Sequence, residues 1–332
     1  MRVERLAAWG APGPDEATWN GLLAGSSVNV PFLTWQFQTR WWRVFGEGPL
    51  HLLGFQGGAG EWVGALPLYE AETPEGPVLR LVGGVDVADY LDVIALAGHE
   101  EAVWKAALGA LPDTPWRALD LRPVPAGSPT AALLPGLAAA AGLACRVERE
   151  ERCPVVELPD SWEAYLAALS GKDRHELRRK LRRAEGGTPR IEVARSPAAV
   201  AALVDSCVAL HRKSKVGKAR FMDEGMERFF REVAAALAAA GWAALWLLWL
   251  EDRPAAALFC LEYGGTIDLY NSGFDPKARA LSPGVVLVAR TIEDAIRRGF
   301  RRYDFLRGDE PYKYGFGAVP TDVLRITLER SP

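Results

Sequence analysis

Apolar and polar positions along this chain follow two periods, one typical of strands and one typical of helices. Short apolar runs bounded by turn residues predict strands in the first half at 50–55, 62–70, 78–82, 90–96, 118–124 and 146–158. The same pattern predicts strands in the second half at 190–194, 244–250, 255–263, 266–270, 303–306 and 323–328. Apolar residues every three or four positions predict helices at 32–45, 100–111, 130–141, 197–213, 222–240 and 285–298, and a further helix from Ser161 that breaks near Gly171. The interleaving predicts an α/β fold with mixed sheets.

The two halves of the chain repeat the same order of elements. Residues 52–69 and 247–263 both read strand, polar turn, strand, and each is followed by a strand, a helix and another strand. A length of 332 residues also fits about two domains. We therefore expect two units, 1–155 and 156–332.

One uncharged run, residues 233–250, reaches the lower length limit for a membrane-spanning helix. Gly241 divides it into an Ala-rich part and a Trp/Leu-rich part. The first part continues an amphipathic helix that Gly241 would end, and the second has the composition of a buried strand. We predict a helix followed by a strand, and no membrane span.

The amino-acid composition favours a globular protein and argues against several other classes. Apolar residues make up 49% and charged residues 24%, with a net charge of −3, which is typical of a globular protein and argues against wholesale nucleic-acid binding. The four cysteines include no CxxC pair, and the four histidines have no metal-ligand spacing, so neither a disulfide framework nor a metal site is expected. Because the N-terminus lacks an apolar signal segment, we expect a cytoplasmic protein.

The start of the helix at 285–298 is a candidate anion site. Ser282 is placed to cap the helix and Pro283 to occupy its first turn, where free backbone N–H groups and the helix dipole favour an anion. Lys277 and Arg279 lie just ahead, where a pyrophosphate would bind. The alternative is an ordinary capped helix with solvated cations.

A strongly basic helix is predicted at 172–183. Arg174, Arg178 and Arg182 are spaced four apart, and the segment holds seven Lys or Arg against two acids. A phosphate-bearing substrate, RNA or an anionic membrane surface would fit this charge. A solvated face paired with acids elsewhere fits equally well.

His211 is followed by a predicted cationic loop with a glycine hinge, which contains Lys213, Lys215 and Lys218. An imidazole with an ordinary pKa suits a general base. A lone histidine after an apolar helix is more often structural.

The segment YDFLRGDEPYK, residues 303–313, crowds ionisable groups at the end of a buried strand. The groups are Asp304, Arg307, Asp309, Glu310, Tyr312 and Lys313. α/β sheets place ligand groups beyond the carboxyl ends of their strands, where such side chains supply a base, an acid and an anion clamp. The alternative is a turn held by structural ion pairs, such as Arg307 with Asp304 or Glu310.

Together these stretches resemble a known family. The ordered set WQFQTRWWRVFG, VGALPLY, DYLDV, LSGKDRHELRRKLRRAE, ALHRKSKVGKARF, YNSGFDP, LSPGVVLVARTIEDAIRRG and YDFLRGDEPYKYGFG resembles the CelD/BioF2-like branch of the GNAT acyltransferases, which is related in plan to the FemAB-type aminoacyl transferases. The resemblance extends over about residues 30–320. It implies two tandem GNAT-like units and the transfer of an acyl group, acetyl above all, from acyl-CoA to an amine or a hydroxyl.

The resemblance also implies roles for particular residues. Tyr270 and Asn271 would offer a backbone N–H to the thioester, while Arg279, Ser282, Gly284 and Val285 would hold the pyrophosphate. Asp304 or His211 would act as base and Tyr312 as acid, and Arg178, Arg307 and Lys313 would bind anionic substrate groups. The first unit would shape the acceptor cleft. The acceptor implied is a small molecule or a precursor of the cell envelope or an exopolysaccharide.

Two other functions stay open. The segment from Arg279 to Gly284 departs from the usual GNAT phosphate loop, because its spacing is longer and it has a single glycine. An aminoacyl-tRNA donor, for which nucleic acid would be a partner, is therefore one alternative to acyl-CoA. The other is a non-catalytic GNAT-like module that binds a glycan precursor.

Overall fold

A computed structural model of the protein describes residues 1–111, 116–186, 189–214 and 216–330. The chain forms two compact units, Met1–Glu151 with Asp322–Pro332, and Arg152–Thr321. These units differ from the predicted ranges 1–155 and 156–332 mainly at the C-terminus. The difference arises because the last strand pairs with a strand of the first unit, for example Val323 with Pro125.

The first unit has a mixed sheet with helices. Its described strands are β1 Arg2–Leu6, β2 Leu50–Gln56, β3 Trp62–Ala71, β4 Val78–Leu81, β5 Ile94–Ala95 and β6 Ala118–Pro125. Its described helices are α1 Glu16–Ala24, α2 Trp35–Phe45, α3 Glu100–Gly109 and α4 Pro129–Ala140, with a 3-10 turn at Pro31–Leu33. The strands pair in the order β1, β2, β3, β4 and β6, and β5 pairs with β3.

Two predictions for the first unit are corrected by local side-chain bonding. The helix predicted at 32–45 begins at Trp35, because Thr34 is extended and its side chain accepts from Phe37 N. The strand predicted at 90–96 shrinks to Ile94–Ala95. Within the predicted range, Asp92 is buried and accepts hydrogen bonds from the side chains of Ser128 and Thr130.

The second unit also has a mixed sheet. Its described strands are the part of β7 (Leu143–Glu157) from Arg152 onward, β8 Arg190–Ala194, β9 Ala243–Leu250, β10 Arg253–Tyr263, β11 Thr266–Phe274 and β12 Arg302–Asp304. They pair in the order β7, β12, β11, β10, β9 and β8. The chain ends in β13 Val319–Arg330, of which the part from Asp322 belongs to the first unit.

Helices cover both faces of the second sheet. They are α5 Trp162–Ala168, α6 Gly171–Glu185, α7 Pro197–Ser214, α8 Val216–Phe221, α9 Glu224–Ala239, α10 Pro283–Arg297 and α11 Pro311–Tyr314. On one face Ile292 of α10 joins a core with Trp246 and Leu258. On the other face Leu210 of α7 packs with Leu247 and Ala257. Neighbouring strand residues point to opposite faces, as the strand period requires.

The uncharged run 233–250 forms the end of α9 and the strand β9, as predicted. Gly241 separates the two elements with a φ of +77°, a conformation that glycine adopts without steric cost. Among the described residues, no helix is both long and apolar enough to cross a bilayer.

Candidate functional site

The strands β11 and β12 separate within the second unit. They are parallel and pair over Thr266–Asp268 and Arg302–Asp304 only. Beyond this point β11 continues to Phe274, whereas Phe305 donates its backbone N–H to Pro154 O of β7 at 2.9 Å. The pairing of β11 with β12 therefore stops at Asp268, and β11 runs on beyond it. We call the region bounded by residues 269–274 and 305–308 the strand opening.

A β-bulge marks the start of the strand opening. In the pairing of β10 with β11, Phe259 faces Asn271 and Cys260 faces Leu269, so Tyr270 is the extra residue. Its ring stacks on Phe230, with centroids 5.4 Å apart. Bulges bend a strand and redirect its side chains, often beside functional sites. The predicted donor-binding residues Tyr270 and Asn271 thus lie at the bend.

The first turn of α10 is open. An added Cβ at Gly284 would meet no heavy atom within 4 Å, and Val285 is partly exposed. The first N–H groups of a helix have no partner within the helix, so this turn offers donors to an anion.

The predicted cap by Ser282 is wrong. Ser282 adopts φ 50° and ψ 47°, and its side chain makes no capping hydrogen bond. Capping requires an extended backbone, which aims the hydroxyl at the N–H groups of the first turn. The left-handed conformation of Ser282 does not provide this geometry.

Exposed cations lie on the two elements that adjoin α10. Arg279 is exposed in the 3-10 segment Pro276–Leu281, which leads directly into the helix. Helix α6, which carries the exposed Arg178, packs against both α10 and this segment. Neither guanidinium has an ion-pair partner in the part of the chain that the structure describes. These cations are thus available to an anionic ligand.

His211 lies against β11 from the side of α7. The helix approaches so closely that an added Cβ at Gly273 would lie 2.3 Å from His211 N. The ring is 5% exposed, and its Nδ1 lies 3.2 Å from the carbonyl oxygen of Ser272. Its Nε2 is buried without a hydrogen-bond partner among the described residues.

The surroundings of His211 keep its imidazole neutral. Burial above all, and then the charge of Lys218, lower its pKa to about 4, although hydrogen bonds to Asn271 and to the carbonyl oxygen of Ser272 partly oppose both effects. Lys218 itself donates to Ser272 O at 2.6 Å. Residues 216–221, predicted as a loop, form helix α8, and Lys215 lies outside the described residues.

Charged side chains in the segment after β12 stabilise a turn of the backbone. The Asp304 carboxylate is buried and accepts from Leu306 N at 2.7 Å, which supports Leu306 at its φ of +55°. Lys313 is 3% exposed, and its ammonium donates to the carbonyl oxygens of Leu306, Arg307 and Gly308 at 3.1, 2.9 and 2.9 Å. It also lies 3.0 Å from a carboxylate oxygen of Glu310.

This turn changes the roles expected of its members. The three N–H groups of Lys313 are occupied by the protein, so the predicted anion-binding role of Lys313 does not fit its contacts. Asp304 uses at least one oxygen to cap the turn, which makes it a weaker candidate for a base than His211. Arg307 is partly buried in the same turn.

Tyr312 lies on the opposite face of the sheet from His211. Its ring meets Phe305 edge to face with centroids 6.1 Å apart, and Phe305 belongs to the core under α10. The residue as a whole is 42% exposed. The pKa of its phenol is nevertheless raised, mainly by desolvation and to a lesser extent by the negative charge of Glu310. Tyr312 therefore stays protonated at neutral pH and is able to act as an acid.

Sequence reasoning missed Gly273 and Ser272, which position His211. The available signal was a glycine inside a strand pattern, which often marks the close approach of another backbone. Among the described residues, no group of three or more His, Cys, Asp or Glu side chains is placed to hold a metal ion.

Comparison with known proteins bears on the fold. Residues 171–314 match the family described as an acetyltransferase (GNAT) domain. No curated protein matches the chain significantly.

Several solved structures share the fold over nearly the whole chain. FemX is 11% identical with a TM-score of 0.67, covering 98% of this chain and 97% of its own. L-PGS from Bacillus licheniformis is 12% identical with a TM-score of 0.60, covering 96% and 92%. A tandem GNAT protein from the clavulanic acid biosynthesis pathway is 13% identical with a TM-score of 0.52, covering 100% and 99%.

The protein therefore has a GNAT acyltransferase-like fold of the tandem, FemAB-like type. This result confirms the predicted α/β class with two GNAT-like units and, at the level of the fold, the GNAT-like and FemAB-like character of the resemblance found in the sequence. At such low identity the neighbours establish the fold alone.

Proposed function

We propose that the second unit transfers an acyl group, expected to be acetyl, from acyl-CoA to an amine or hydroxyl. The observations that carry the proposal are the strand opening after Asp268 and the open first turn of α10, a helix that packs on β11. A thioester arm in the opening would meet the backbone of β11 at Tyr270 and Asn271. Its pyrophosphate would meet the N–H groups of Gly284 and Val285 and the guanidinium of Arg279.

The proposed reaction forms a bond between the acceptor's nitrogen or oxygen and the thioester carbon, and breaks the carbon–sulfur bond. We assign the proton that the nucleophile loses to Nε2 of His211, which holds the lone pair of a neutral ring. Because Nε2 is buried, this role requires the acceptor to enter and reach that atom. Tyr312 donates a proton to the departing thiolate. A backbone N–H of the bulge at Tyr270 stabilises the negative charge that develops on the thioester oxygen.

We further propose that the acceptor is a small molecule or a precursor of the cell envelope or an exopolysaccharide, and that the reaction takes place in the cytoplasm. The exposed cations Arg178 and Arg279 support an acceptor or donor with phosphate groups.

Gly284→Asp tests the donor site directly, with Gly284→Ala as the matched control. Because a Cβ at this position meets no atom, both variants should fold, and an acidic side chain in the first turn even favours the helix. The carboxylate would repel a bound pyrophosphate. Calorimetry should show CoA binding weakened roughly tenfold or more in Gly284→Asp and little changed in Gly284→Ala.

Each outcome of this experiment is decisive. Equal CoA affinity in the two variants would place the donor elsewhere, and no binding by wild-type protein at millimolar CoA would exclude acyl-CoA as the donor. The aminoacyl-tRNA alternative, supported by the cationic face of α6, instead predicts tRNA binding that weakens steeply with salt. A non-catalytic glycan-precursor module predicts binding that survives His211→Asn and Tyr312→Phe, with no turnover on any donor.

A further inference from the structure

Helix α6 presents one uninterrupted basic face. Its apolar residues Leu177, Leu181 and Ala184 are buried against the second unit. The exposed basic residues are Lys172, His175, Arg178, Arg179, Arg182 and Arg183. At 3.6 residues per turn these six span about 140° of the helix circumference, and no acidic residue falls between them. We call these six residues the basic face.

Little of this charge is neutralised by the protein. Arg179 forms a two-bond ion pair with Glu176, at 2.8 Å for each bond. Lys172, Arg178, Arg182 and Arg183 have no ion-pair partner within the described ranges 1–111, 116–186, 189–214 and 216–330. This concentration of charge contrasts with the net charge of −3 of the whole chain.

The neighbouring 3-10 segment Pro276–Leu281 extends the basic face. It contacts α6 and carries the exposed Lys277 and Arg279. Even without Arg279, which the proposed donor site uses, Lys277 and the four unpaired residues of α6 make five cations on adjacent elements. Clusters of four to eight basic residues on an amphipathic helix are typical of proteins that bind anionic lipids.

We propose that the basic face docks the protein on an anionic phospholipid surface. A helix of 15 residues offers a straight row about 22 Å long, which suits a surface rather than a compact ligand. Since the apolar side of α6 is already buried in the core, the attraction is electrostatic, without insertion into the bilayer. This inference goes beyond acyl transfer and does not depend on it.

RNA is the competing polyanion. Proteins that hold single-stranded RNA stack its bases on aromatic side chains. The exposed residues of α6 include no Phe, Tyr or Trp, and His175 is the one ring among them. The basic face therefore favours a charged surface over unstacked bases.

The test is co-sedimentation of the full chain with vesicles. Phosphatidylcholine vesicles containing phosphatidylglycerol should bind the protein at low salt, and vesicles of phosphatidylcholine alone should not. The Arg182→Gln/Arg183→Gln variant should bind roughly 25-fold more weakly, at about fivefold for each basic residue removed. Gln retains the helix propensity of Arg, so α6 should persist.

The matched control is Arg253→Gln/Arg301→Gln, which removes two exposed cations outside α6. Thermal unfolding of both variants checks the fold. The proposal stands if only the α6 variant loses vesicle binding. It is overturned if both variants lose binding equally, if binding ignores phosphatidylglycerol, or if the wild type binds RNA but not anionic vesicles.

Discussion

The Nδ1 atom of His211 lies 3.2 Å from the carbonyl oxygen of Ser272. Because a carbonyl only accepts hydrogen bonds, Nδ1 carries the ring proton and Nε2 carries the lone pair. Lys218 donates to the same oxygen at 2.6 Å, and its charge disfavours a second proton on the ring. One hydrogen bond thus selects the tautomer that a general base at Nε2 requires.

His211→Asn separates catalysis from anchoring. The Asn amide is able to keep a donor near Ser272 O but offers no nitrogen lone pair in place of Nε2. If His211 is the base, we expect kcat to fall by about 10²–10⁴-fold. Steady-state kinetics measures the change, and Lys213→Gln, an exposed neighbour, is the control. A kcat equal to that of wild type would remove His211 from the reaction.

The same variant should alter the dependence of stability on pH. The folded pKa of His211 is about 4, below its ordinary value of 6.5, so between these values the unfolded chain binds a proton that the folded chain does not. Wild-type stability should therefore fall as pH drops from about 6.5 to 4. Thermal unfolding across this range should show a smaller loss in His211→Asn, and parallel curves would contradict the buried, neutral ring.

Asp92 in the first unit should change stability with pH in the direction opposite to His211. Burial raises the pKa of Asp92 to about 6 despite hydrogen bonds from Ser128, Thr130 and Val93 N. Between its ordinary pKa of 3.8 and 6 the folded chain binds the extra proton, so this group makes stability fall as pH rises through that window. Asp92→Asn should remove this component in denaturant titrations. A variant that loses the same stability as wild type between pH 4 and 6 would show that Asp92 is not responsible.

Lys313→Met should lower stability rather than act on substrate alone. It removes the donor that satisfies three carbonyl groups of the turn after β12. Leaving these groups unpaired in a buried turn should cost about 3 kcal/mol of unfolding free energy, measured by chemical denaturation. Lys277→Met, at an exposed position, should cost little. If Lys313→Met unfolds like wild type but loses activity, Lys313 binds substrate after all.

Gly273→Ala should loosen the contact between α7 and β11. The new methyl would lie 2.3 Å from His211 N and 2.4 Å from Leu210 C, both backbone atoms that cannot rotate away. We expect a loss of about 1–3 kcal/mol in stability. Gly171→Ala, whose methyl meets no atom, should be neutral or stabilising. A stable Gly273→Ala variant would mean that the two elements separate without cost.

Local patterns predicted most elements but not their ends. The strand predicted at 190–194 is confirmed with the same bounds. The alternating apolar and polar residues that predict it, and the turn residues on either side, lie within a few positions of one another. The strand predicted at 303–306 ends at Asp304, because Leu306 turns the chain at a φ of +55° and donates its N–H to the Asp304 carboxylate. The prediction that Ser282 caps α10 was wrong, because the left-handed backbone of Ser282 cannot be predicted from its being a serine.

The amino-acid sequence by itself determined the α/β class, the order of the elements, the basic helix and the positions where charges collect. Periodicity, glycine and proline act over a few residues, so these features are readable in a short window. Only the tertiary structure decided three further features. The pairing of β11 with β12 stops after three residues, Lys313 stabilises a turn through hydrogen bonds, and Nε2 of His211 has no hydrogen-bond partner among the described residues. These features depend on which distant segments pair and how closely their backbones approach. Contacts of this kind produce no periodic pattern of apolar and polar residues in the sequence.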